Sequence, residues 1–329
     1  MNWSTRFTDL VGCRYPIVQG AFGNGGLGTS AIAAPVSEAG GLGIITAGAL
    51  KSPNRLREDI RRAREMTDKP FAVNITMVSA VAANAPEYLE VVIQEKVPVL
   101  FTAAYKSEVV GKRAQEAGIV WIHKVATVKH AQAAVRQGAD AVVLVGLEGT
   151  GFKSTIQLPT LIGITTLVKR VKVPILASGG IGDARGVLAA LAMGAEGVYM
   201  GTRFMATRES PVSDRAKQLI VESDPEDPKV RDHALAPPKP EALERANRQR
   251  GTQELGTWLR ELESAMVSGS GGDTEVPTAP TELVGAGAPS LAVAVIDSVP
   301  TCKELIEGIF GEAEELLKRS GPLARILNG

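Results

Sequence analysis

Two glycine-rich turns have the composition of a phosphate-binding site. The first, Ser-Gly-Gly-Ile-Gly at residues 178–182, follows a short apolar segment and precedes a helix pattern that begins at Asp183. The second, Gly-Thr at residues 201–202, follows the next apolar segment. Glycine leaves backbone N–H groups unobstructed, and N–H groups at the start of a helix bind anions. The pair of turns therefore predicts a phosphate cradle, although a single glycine turn also serves simply to let a tight loop form.

Eight short apolar segments must position these turns, and helix patterns with apolar residues at three- and four-residue steps alternate with them. The strand candidates are residues 16–19, 42–46, 71–74, 97–101, 120–123, 141–145, 174–177 and 197–200. The helix patterns include residues 54–66, 86–95, 107–117, 127–137 and 183–193. This alternation predicts an α/β fold, a parallel (β/α)8 TIM barrel, whose phosphate sites lie at the C-terminal ends of strands seven and eight. A doubly wound open sheet is the alternative.

The chain changes character after the eighth strand candidate. Residues 214–266 are charged, helix-prone and interrupted by prolines, which predicts a small helical second domain inserted after strand 8. We therefore divide the chain into a barrel at 1–207, a helical lid with a flexible loop at 208–282, and a C-terminal segment at 283–329 that packs back on the barrel. Such a lid suits a small-molecule pocket that must exclude water, and an extension used for dimerisation is the alternative.

Composition and motifs exclude several classes of function. The 36 basic residues balance the 36 acidic ones, so no net field attracts nucleic acid or an anionic membrane. Only Cys13 and Cys302 occur, which gives no disulfide framework and no zinc-site spacing and favours a cytoplasmic protein. No apolar run reaches the roughly 18 residues of a membrane span. No metal-binding, P-loop or dinucleotide motif stands in its required context, so we expect no metal.

Six segments, spread nearly end to end, carry a resemblance to a known family. They are residues 16–20 (PIVQG), 39–46 (AGGLGIIT), 69–74 (KPFAVN), 122–124 (IHK), 176–183 (LASGGIGD) and 200–204 (MGTRF). Together they resemble the nitronate monooxygenase family, formerly called 2-nitropropane dioxygenases. The resemblance implies a TIM barrel that binds FMN and carries a small helical second domain. Relatives in the same superfamily include flavin-dependent enoyl-thioester reductases.

The resemblance also implies which positions would contact the cofactor. These are Gln19, Gly20, Ala21, Phe22, Asn74, Thr76, Lys124, Gly149, Thr150, Ser178, Gly179, Gly180, Gly201 and Thr202. The last five form the two turns that the residues alone predict to bind phosphate. Lys124 matches a family lysine beside the flavin, where a fixed positive charge would stabilise the anionic reduced ring. An ion pair on the barrel rim is the alternative for Lys124.

The chain departs from the family after the sixth strand candidate. Family members often read E-A-G-G-H here, with the histidine as acid or base, whereas residues 146–154 read GLEGTGFKS and place Phe152 at that position. Phenylalanine cannot transfer a proton, but it can stack on the substrate or the ring. The catalytic candidates are therefore Lys124, Glu148, Phe152 and Lys153. Glu148 is either a titratable group or an acceptor for the N–H groups of residues 149–151, and strand alternation turns His123 away if Lys124 faces the flavin.

We expect an FMN-dependent oxidoreductase of the nitronate monooxygenase type, acting on a small carbon acid or a nitronate-like substrate. The first alternative is an enoyl-thioester reductase that takes its reducing equivalents from NAD(P)H. An alternative of another class is a flavin-binding module without catalysis, which the substitution of histidine by Phe152 keeps open. A homodimer is left open as well.

Overall fold

The computed structural model describes residues 1–22, 27–77, 84–105, 107–151, 154–235 and 289–318, together with residues 241, 244–245, 248–249 and 261. Eight parallel strands form one sheet within these residues. The strands are β1 (Ile17–Gln19), β2 (Gly43–Thr46), β3 (Phe71–Thr76), β4 (Val99–Ala103), β5 (Val120–Val125), β6 (Ala141–Val145), β7 (Ile175–Ser178) and β8 (Gly197–Met200). Each begins and ends within two residues of the segment that the sequence predicts.

The sheet closes into a barrel. Its strand order is β1-β8-β7-β6-β5-β4-β3-β2, and an isolated parallel bridge between Val18 and Leu42 joins the first strand to the segment that begins the second. Across this seam Gln19 N donates to Leu42 O at 3.0 Å, and Leu42 N donates to Ile17 O at 2.9 Å. The predicted (β/α)8 barrel is therefore confirmed, and the open-sheet alternative is wrong.

Helices alternate with the strands along the chain. In the described residues they are α1 (Arg6–Val11), α2 (Ser30–Glu38), α3 (Ala47–Leu50), α4 (Pro53–Met66), α5 (Ala85–Gln94), α6 (Glu108–Glu116), α7 (Val128–Arg136), α8 (Thr160–Val168), α9 (Ala184–Ala192), α10 (Thr202–Met205), α11 (Asp214–Glu222), α12 (Pro228–Leu235) and α13 (Cys302–Lys318), with a 3-10 turn at Leu291–Val295. None of them is long and apolar enough to cross a membrane.

Strand alternation separates the barrel interior from the layer between strands and helices. Val18, Ile44, Phe101 and Ile122 belong to an interior cluster, which also includes Phe7 of α1. Neighbouring strand residues on the opposite face pack against the surrounding helices. The parity of a residue within its strand therefore decides whether it can reach the mouth of the barrel.

Helix α13 returns to the barrel and packs against α9 and α2. The ring of Phe310 stacks on Tyr15 at a centroid distance of 4.4 Å and meets the edge of Trp3 at 5.0 Å. The start of the helix is held where Cys302 N donates to both carboxylate oxygens of Glu209, at 3.0 and 2.9 Å. Most of residues 236–288 lie outside the described part, so the predicted second domain and the domain boundaries stay predictions.

Candidate active site

The mouth of the barrel collects most of the predicted site residues. Because all eight strands are parallel, their C-terminal ends meet at one end of the barrel, which is where barrel enzymes place their sites. We call this end the mouth and define it by the last residues of the strands, Gln19, Thr46, Thr76, Ala103, Val125, Val145, Ser178 and Met200. The predicted residues Phe152 and Lys153 lie outside the described residues.

Lys124 presents a positive charge inside the mouth. It lies beside Ala103 of β4 and Val143 of β6 and has the same strand parity as Ile122, which packs in the barrel interior. Within the described residues it has no ion pair, and its Nζ lies 5.6 Å from the centroid of the Tyr199 ring. Burial away from water lowers the pKa of Lys124 from 10.5 to about 8. The ammonium is thus destabilised in the folded chain, and a bound anion would relieve it.

Tyr199 forms the floor beneath this lysine. Its ring lies in the barrel interior, 6.0 Å from the ring of Phe101, and burial raises the pKa of its phenol. Its hydroxyl oxygen accepts a hydrogen bond from Ala21 N at 2.6 Å, which fixes the segment after β1. A Cβ at Gly20 would lie 2.6 Å from Cε1 of this ring, so only glycine fits there without displacement. Phe22 follows and packs partly buried against two apolar clusters.

Gln19 stabilises the seam of the barrel. Its side-chain oxygen accepts a hydrogen bond from Ile44 N at 2.9 Å, and its amide nitrogen donates to Gly20 O. The bond from Ile44 links β1 to β2 where the regular strand pairing is short, and the bond to Gly20 O fixes the Gln19 amide beside the end of its own strand. The structure thus engages both polar atoms of the Gln19 side chain with the backbone, and cofactor contact by this side chain stays a prediction.

Polar side chains of β2 and β3 line one side of the mouth. Asn74 Nδ2 donates to Thr76 Oγ1 at 2.8 Å, so the structure brings these two predicted residues together. Thr46 is paired in register with Asn74, and its buried Oγ1 has no hydrogen-bond partner in the structure as described. An unpartnered buried hydroxyl is costly, and a ligand atom would satisfy it. Sequence reasoning missed Thr46, although its place at the end of a strand signalled it.

The loop between β6 and α8 is fixed by Glu148. The Glu148 carboxylate accepts hydrogen bonds from Thr160 N at 2.8 Å and from Thr160 Oγ1 at 2.7 Å, and so caps the start of α8. The sequence suggests Glu148 as an acceptor for the N–H groups of residues 149–151. In the structure, its carboxylate accepts hydrogen bonds from Thr160. Gly149 lies against Val145, since a Cβ there would stand 2.5 Å from Val145 Cγ2. Thr150 is half-buried in the same loop.

The first predicted phosphate turn has the backbone that only glycine adopts readily. Gly179 and Gly180 have φ angles of +105° and +72°, and a Cβ at Gly179 would stand 3.0 Å from Gly149 N. Helix α9 follows, capped where Asp183 Oδ1 accepts a hydrogen bond from Gly186 N at 2.7 Å. Ser178 is buried and has the same strand parity as Leu176, which faces the interior. The two glycines therefore let this turn pack closely against Glu148 and Gly149, and its contact with a phosphate stays a prediction.

The second predicted turn is joined to the C-terminal segment. Among the described residues, no atom lies within 4 Å of a Cβ placed at Gly201, so this part of the chain leaves space beside the turn. Thr202 Oγ1 accepts a hydrogen bond from Ser290 N at 3.0 Å and lies 2.9 Å from Ser290 Oγ. The Thr202 hydroxyl is thus engaged by the protein, and cofactor contact through the backbone of the turn stays a prediction.

Further contacts fasten the same C-terminal segment to the mouth. Leu291 N donates to Glu148 O at 3.0 Å, and the buried Arg203 donates from Nη2 to Ser298 O at 2.6 Å. Burial lowers the pKa of Arg203 to about 10, and its Nε is unpartnered within the described part. Sequence reasoning missed Ser290 and Arg203, because no local pattern signals contacts between segments so far apart along the chain.

His123 faces away from the mouth, as strand alternation predicts. Its Nδ1 lies 2.8 Å from Thr102 Oγ1, which also accepts a hydrogen bond from Trp121 Nε1 at 2.7 Å. Burial lowers the pKa of His123 to about 4, so the ring is neutral near pH 7. This residue therefore supports the barrel wall beside Lys124.

Comparison with protein-family models identifies the chain. The nitronate monooxygenase family model matches residues 4–235. The chain belongs to this family. Family membership makes it a flavin-dependent oxidoreductase, and the resemblance carried by the sequence segments is confirmed.

Individual relatives extend beyond the matched region. A curated relative from Rhodococcus jostii (strain RHA1), named (3aS,4S,5R,7aS)-5-hydroxy-7a-methyl-1-oxo-octahydro-1H-indene-4-carboxyl-CoA dehydrogenase, is 32% identical over 97% of this chain and 98% of its own. A probable nitronate monooxygenase from Staphylococcus saprophyticus is 34% identical over 68% of this chain and 74% of its own. The solved structure of FabK from Thermotoga maritima has a TM-score of 0.73 and 33% identity, covering 96% of this chain and 98% of that one.

Proposed function

We propose that this chain is an FMN-dependent oxidoreductase that acts on an activated carbon acid and holds negative charge at Lys124. The observation that carries the proposal is the ammonium of Lys124, which lies half-buried at the barrel mouth, 5.6 Å from the centroid of the Tyr199 ring, without an ion pair in the described part of the chain. A buried cation of this kind is destabilised unless an anion accompanies it. An anionic flavin ring or substrate would supply that anion.

The residues at the mouth fit FMN. The left-handed turn at Gly179 and Gly180 and the open position at Gly201 would hold the phosphate through backbone N–H groups. Glycine at position 20 keeps the segment after β1 close to the floor, and the unpartnered Thr46 hydroxyl offers a hydrogen bond to the ring edge or the ribityl chain. When bound, FMN would accept or deliver the electron pair of the reaction.

The side chains of the mouth have separable tasks in this proposal. Lys124 is mostly protonated at pH 7, because its pKa of about 8 lies above that pH, and it stabilises negative charge on the ring or the substrate. Asn74 and Thr76 orient polar ligand atoms, and Tyr199 closes the floor against water. With Phe152 at the family's histidine position, we assign no imidazole base at this position. The substrate then either arrives as an anion or exchanges its proton with Lys124, Lys153 or water.

The thioester of coenzyme A is the substrate class that we favour. The R. jostii dehydrogenase, whose printed name is that of a carboxyl-CoA dehydrogenase, matches nearly the whole of both chains, including the part beyond residue 235 where the family model ends. The hydrogen α to a thioester carbonyl is acidic enough for such chemistry once a cation stabilises the resulting anion. Run in reverse, the same site would reduce an enoyl thioester with NADH or NADPH as the source of electrons.

Nitronate oxidation is the second candidate, favoured by the identity to the S. saprophyticus relative over two thirds of the chain. A nitronate is already an anion, so its oxidation requires no base and tolerates Phe152. The two classes differ in what they demand from the protein: a nitronate is small, whereas a coenzyme A thioester also needs a surface for its long pantetheine arm.

Anaerobic mixing distinguishes the candidates. The purified protein is expected to be yellow, and its flavin absorbance near the visible maximum is followed after mixing with a saturated acyl-CoA, with a nitronate, or with NADH or NADPH. Bleaching by the acyl-CoA, or bleaching by a nicotinamide that an enoyl-CoA then reverses, supports the thioester class. Bleaching by the nitronate alone supports the second candidate. A protein that retains no FMN, or a flavin that no reagent bleaches, contradicts the proposed function.

A further inference from the structure

Glu148 contacts three separate segments of the chain at the mouth. Its carboxylate caps helix α8 through the backbone N–H and the hydroxyl of Thr160. Its Cβ stands against the first glycine turn, because a Cβ at Gly180 would lie 3.1 Å from it. Its backbone oxygen accepts a hydrogen bond from Leu291 N at 3.0 Å. One acidic residue thus lies between parts of the chain that must act together in the proposed function.

Thr160 connects the carboxylate to the backbone of the first turn. The Thr160 hydroxyl donates to Glu148 Oε2 at 2.7 Å, and its oxygen also lies 3.0 Å from Gly179 O. A hydroxyl has a single proton, and a carboxylate is a stronger acceptor than a carbonyl. The charge on Glu148 therefore keeps that proton away from Gly179 O. Without the charge, the hydroxyl would bond more strongly to Gly179 O and displace the turn that Gly179 and Gly180 form.

Close packing makes the first turn sensitive to the position of Thr160. A Cβ at Gly146 would stand 2.0 Å from Thr160 Oγ1. A Cβ at Gly179 would stand 3.0 Å from the same oxygen and 3.0 Å from Gly149 N. The loop after β6, the start of α8 and the first turn are therefore in direct contact. Since close-packed groups move together, a shift of Thr160 also shifts the Gly179 backbone.

The backbone of Glu148 is linked to the second glycine turn through the C-terminal segment. Leu291, whose N–H donates to Glu148 O, directly follows Ser290 in the chain. Ser290 N donates to Thr202 Oγ1 at 3.0 Å, and the two hydroxyl oxygens lie 2.9 Å apart. The first turn contacts the Glu148 side chain, and the second is joined to its backbone through two hydrogen bonds. Both turns are therefore attached to the same residue.

We propose that Glu148 is a positioning residue that holds the two glycine turns at the spacing at which they bind the phosphate of FMN. This inference rests on the proposed function, because it requires the phosphate to lie at these turns. In this role the carboxylate acts through Thr160 and transfers no proton. It is directed at the start of α8, where backbone N–H groups stabilise negative charge. Glu148 thus supports binding of the phosphate group and contributes little to binding of the flavin ring.

Riboflavin allows a test of the phosphate group alone, because it is FMN without the phosphate. The full-length protein is freed of flavin by dialysis and titrated with FMN or with riboflavin, and the quenching of flavin fluorescence gives each dissociation constant. Glu148→Gln keeps the shape of the side chain but replaces one acceptor oxygen by an NH2 donor. We expect this variant to weaken FMN binding about 10-fold and riboflavin binding by less than about 2-fold.

Asp59→Asn is the matched control for Glu148→Gln. The Asp59 carboxylate accepts hydrogen bonds from Ser30 N at 2.8 Å and from Ser30 Oγ at 2.6 Å, and so caps the start of α2 in the same way. It has no hydrogen bond to either glycine turn within the described residues. We expect Asp59→Asn to leave the ratio of the riboflavin and FMN dissociation constants unchanged.

Two variants of Thr160 cover the case in which Glu148→Gln does not fold. Thr160→Val replaces the hydroxyl by a methyl group, and Thr160→Ser keeps the hydroxyl. Thr160→Val should weaken FMN binding about 5-fold with little effect on riboflavin, whereas Thr160→Ser should retain the preference of the wild type for FMN. In the double variant with Glu148→Gln the losses should not multiply, because both substitutions break the same connection.

The results separate a failure of this inference from a failure of the proposed function. A wild type that binds neither flavin contradicts both. A wild type that prefers FMN, with variants of Glu148 and Thr160 that weaken FMN and riboflavin equally or not at all, leaves FMN binding intact and overturns the role of Glu148. A wild type without preference for FMN, or an Asp59→Asn variant that changes the ratio as much as Glu148→Gln, overturns that role as well.

Discussion

Replacing Lys124 by methionine tests whether the positive charge of Lys124 at the mouth serves to bind an anion. Methionine is an unbranched side chain one heavy atom shorter than lysine, and it removes the ammonium. In the flavin-free protein the ammonium has no ion pair in the described structure, and burial has lowered the Lys124 pKa from 10.5 to about 8. We expect Lys124→Met to be more stable than the wild type when no flavin is bound and to bind FMN less tightly.

The magnitude follows from the pKa. One pKa unit corresponds to about 1.4 kcal/mol, so the change from 10.5 to about 8 destabilises the flavin-free wild type by about 3 kcal/mol at neutral pH. The side chain keeps intermediate exposure, so the measured gain on removing the charge should be about 1–3 kcal/mol. Between pH 8 and pH 10.5 the folded state binds fewer protons than the unfolded state. The wild type therefore gains stability as pH rises through this window, and the variant does not.

The assay is equilibrium unfolding in urea of the flavin-free proteins at pH 7.5 and at pH 10, followed by titration with FMN. The difference in unfolding free energy between Lys124→Met and wild type should shrink at the higher pH, and FMN should stabilise the wild type more than the variant. Lys129→Met is the matched control, since Lys129 is an exposed lysine on α7. If the difference is the same at both pH values, or if both proteins bind FMN equally, the reasoning about Lys124 is wrong.

Three further perturbations test other parts of the structure. Burial lowers the pKa of His123 in the folded chain from 6.5 to about 4, so the wild type should lose up to about 3 kcal/mol of stability as the pH falls from 6.5 to 4. Urea unfolding over this pH range measures the loss, and His123→Gln should lose less stability than the wild type. Gly43→Ala should destabilise by at least about 2 kcal/mol in the same assay, because its Cβ would stand 1.9 Å from Ala33 O, a backbone atom that cannot rotate away. Ser290→Ala removes the hydroxyl that contacts Thr202 and should weaken FMN binding about 5-fold. A fluorescence titration of the flavin-free protein with FMN measures the dissociation constant. An unchanged value would show that this contact does not support FMN binding.

The barrel could be predicted because each strand carries its own local signal. A short apolar run that ends in a polar residue or is followed by a polar or glycine residue predicts both the strand and its end at the mouth, and β6 and β8 begin and end where the sequence places them. Strand alternation alone predicts that Lys124 and His123 face opposite sides, since they are neighbouring residues of one strand. The seam between β1 and β2 could not be predicted, because it depends on a hydrogen bond between the Gln19 side chain and Ile44 N, for which the sequence has no local signal.

The parts of the site that escaped prediction depend on contacts between distant segments. Ser290 meets Thr202 although 88 residues separate them, and neither position has a local pattern that names the other. Glu148 lies in the loop between β6 and α8, and only the fold shows that Thr160 is its partner. The predicted phosphate cradle consists of two short glycine turns, which the sequence alone can locate. Other parts of the mouth depend on contacts of loops and of the C-terminal segment, which only the fold shows. The proposals on substrate therefore depend on Lys124 and on similarity beyond residue 235 more than on the glycine motifs.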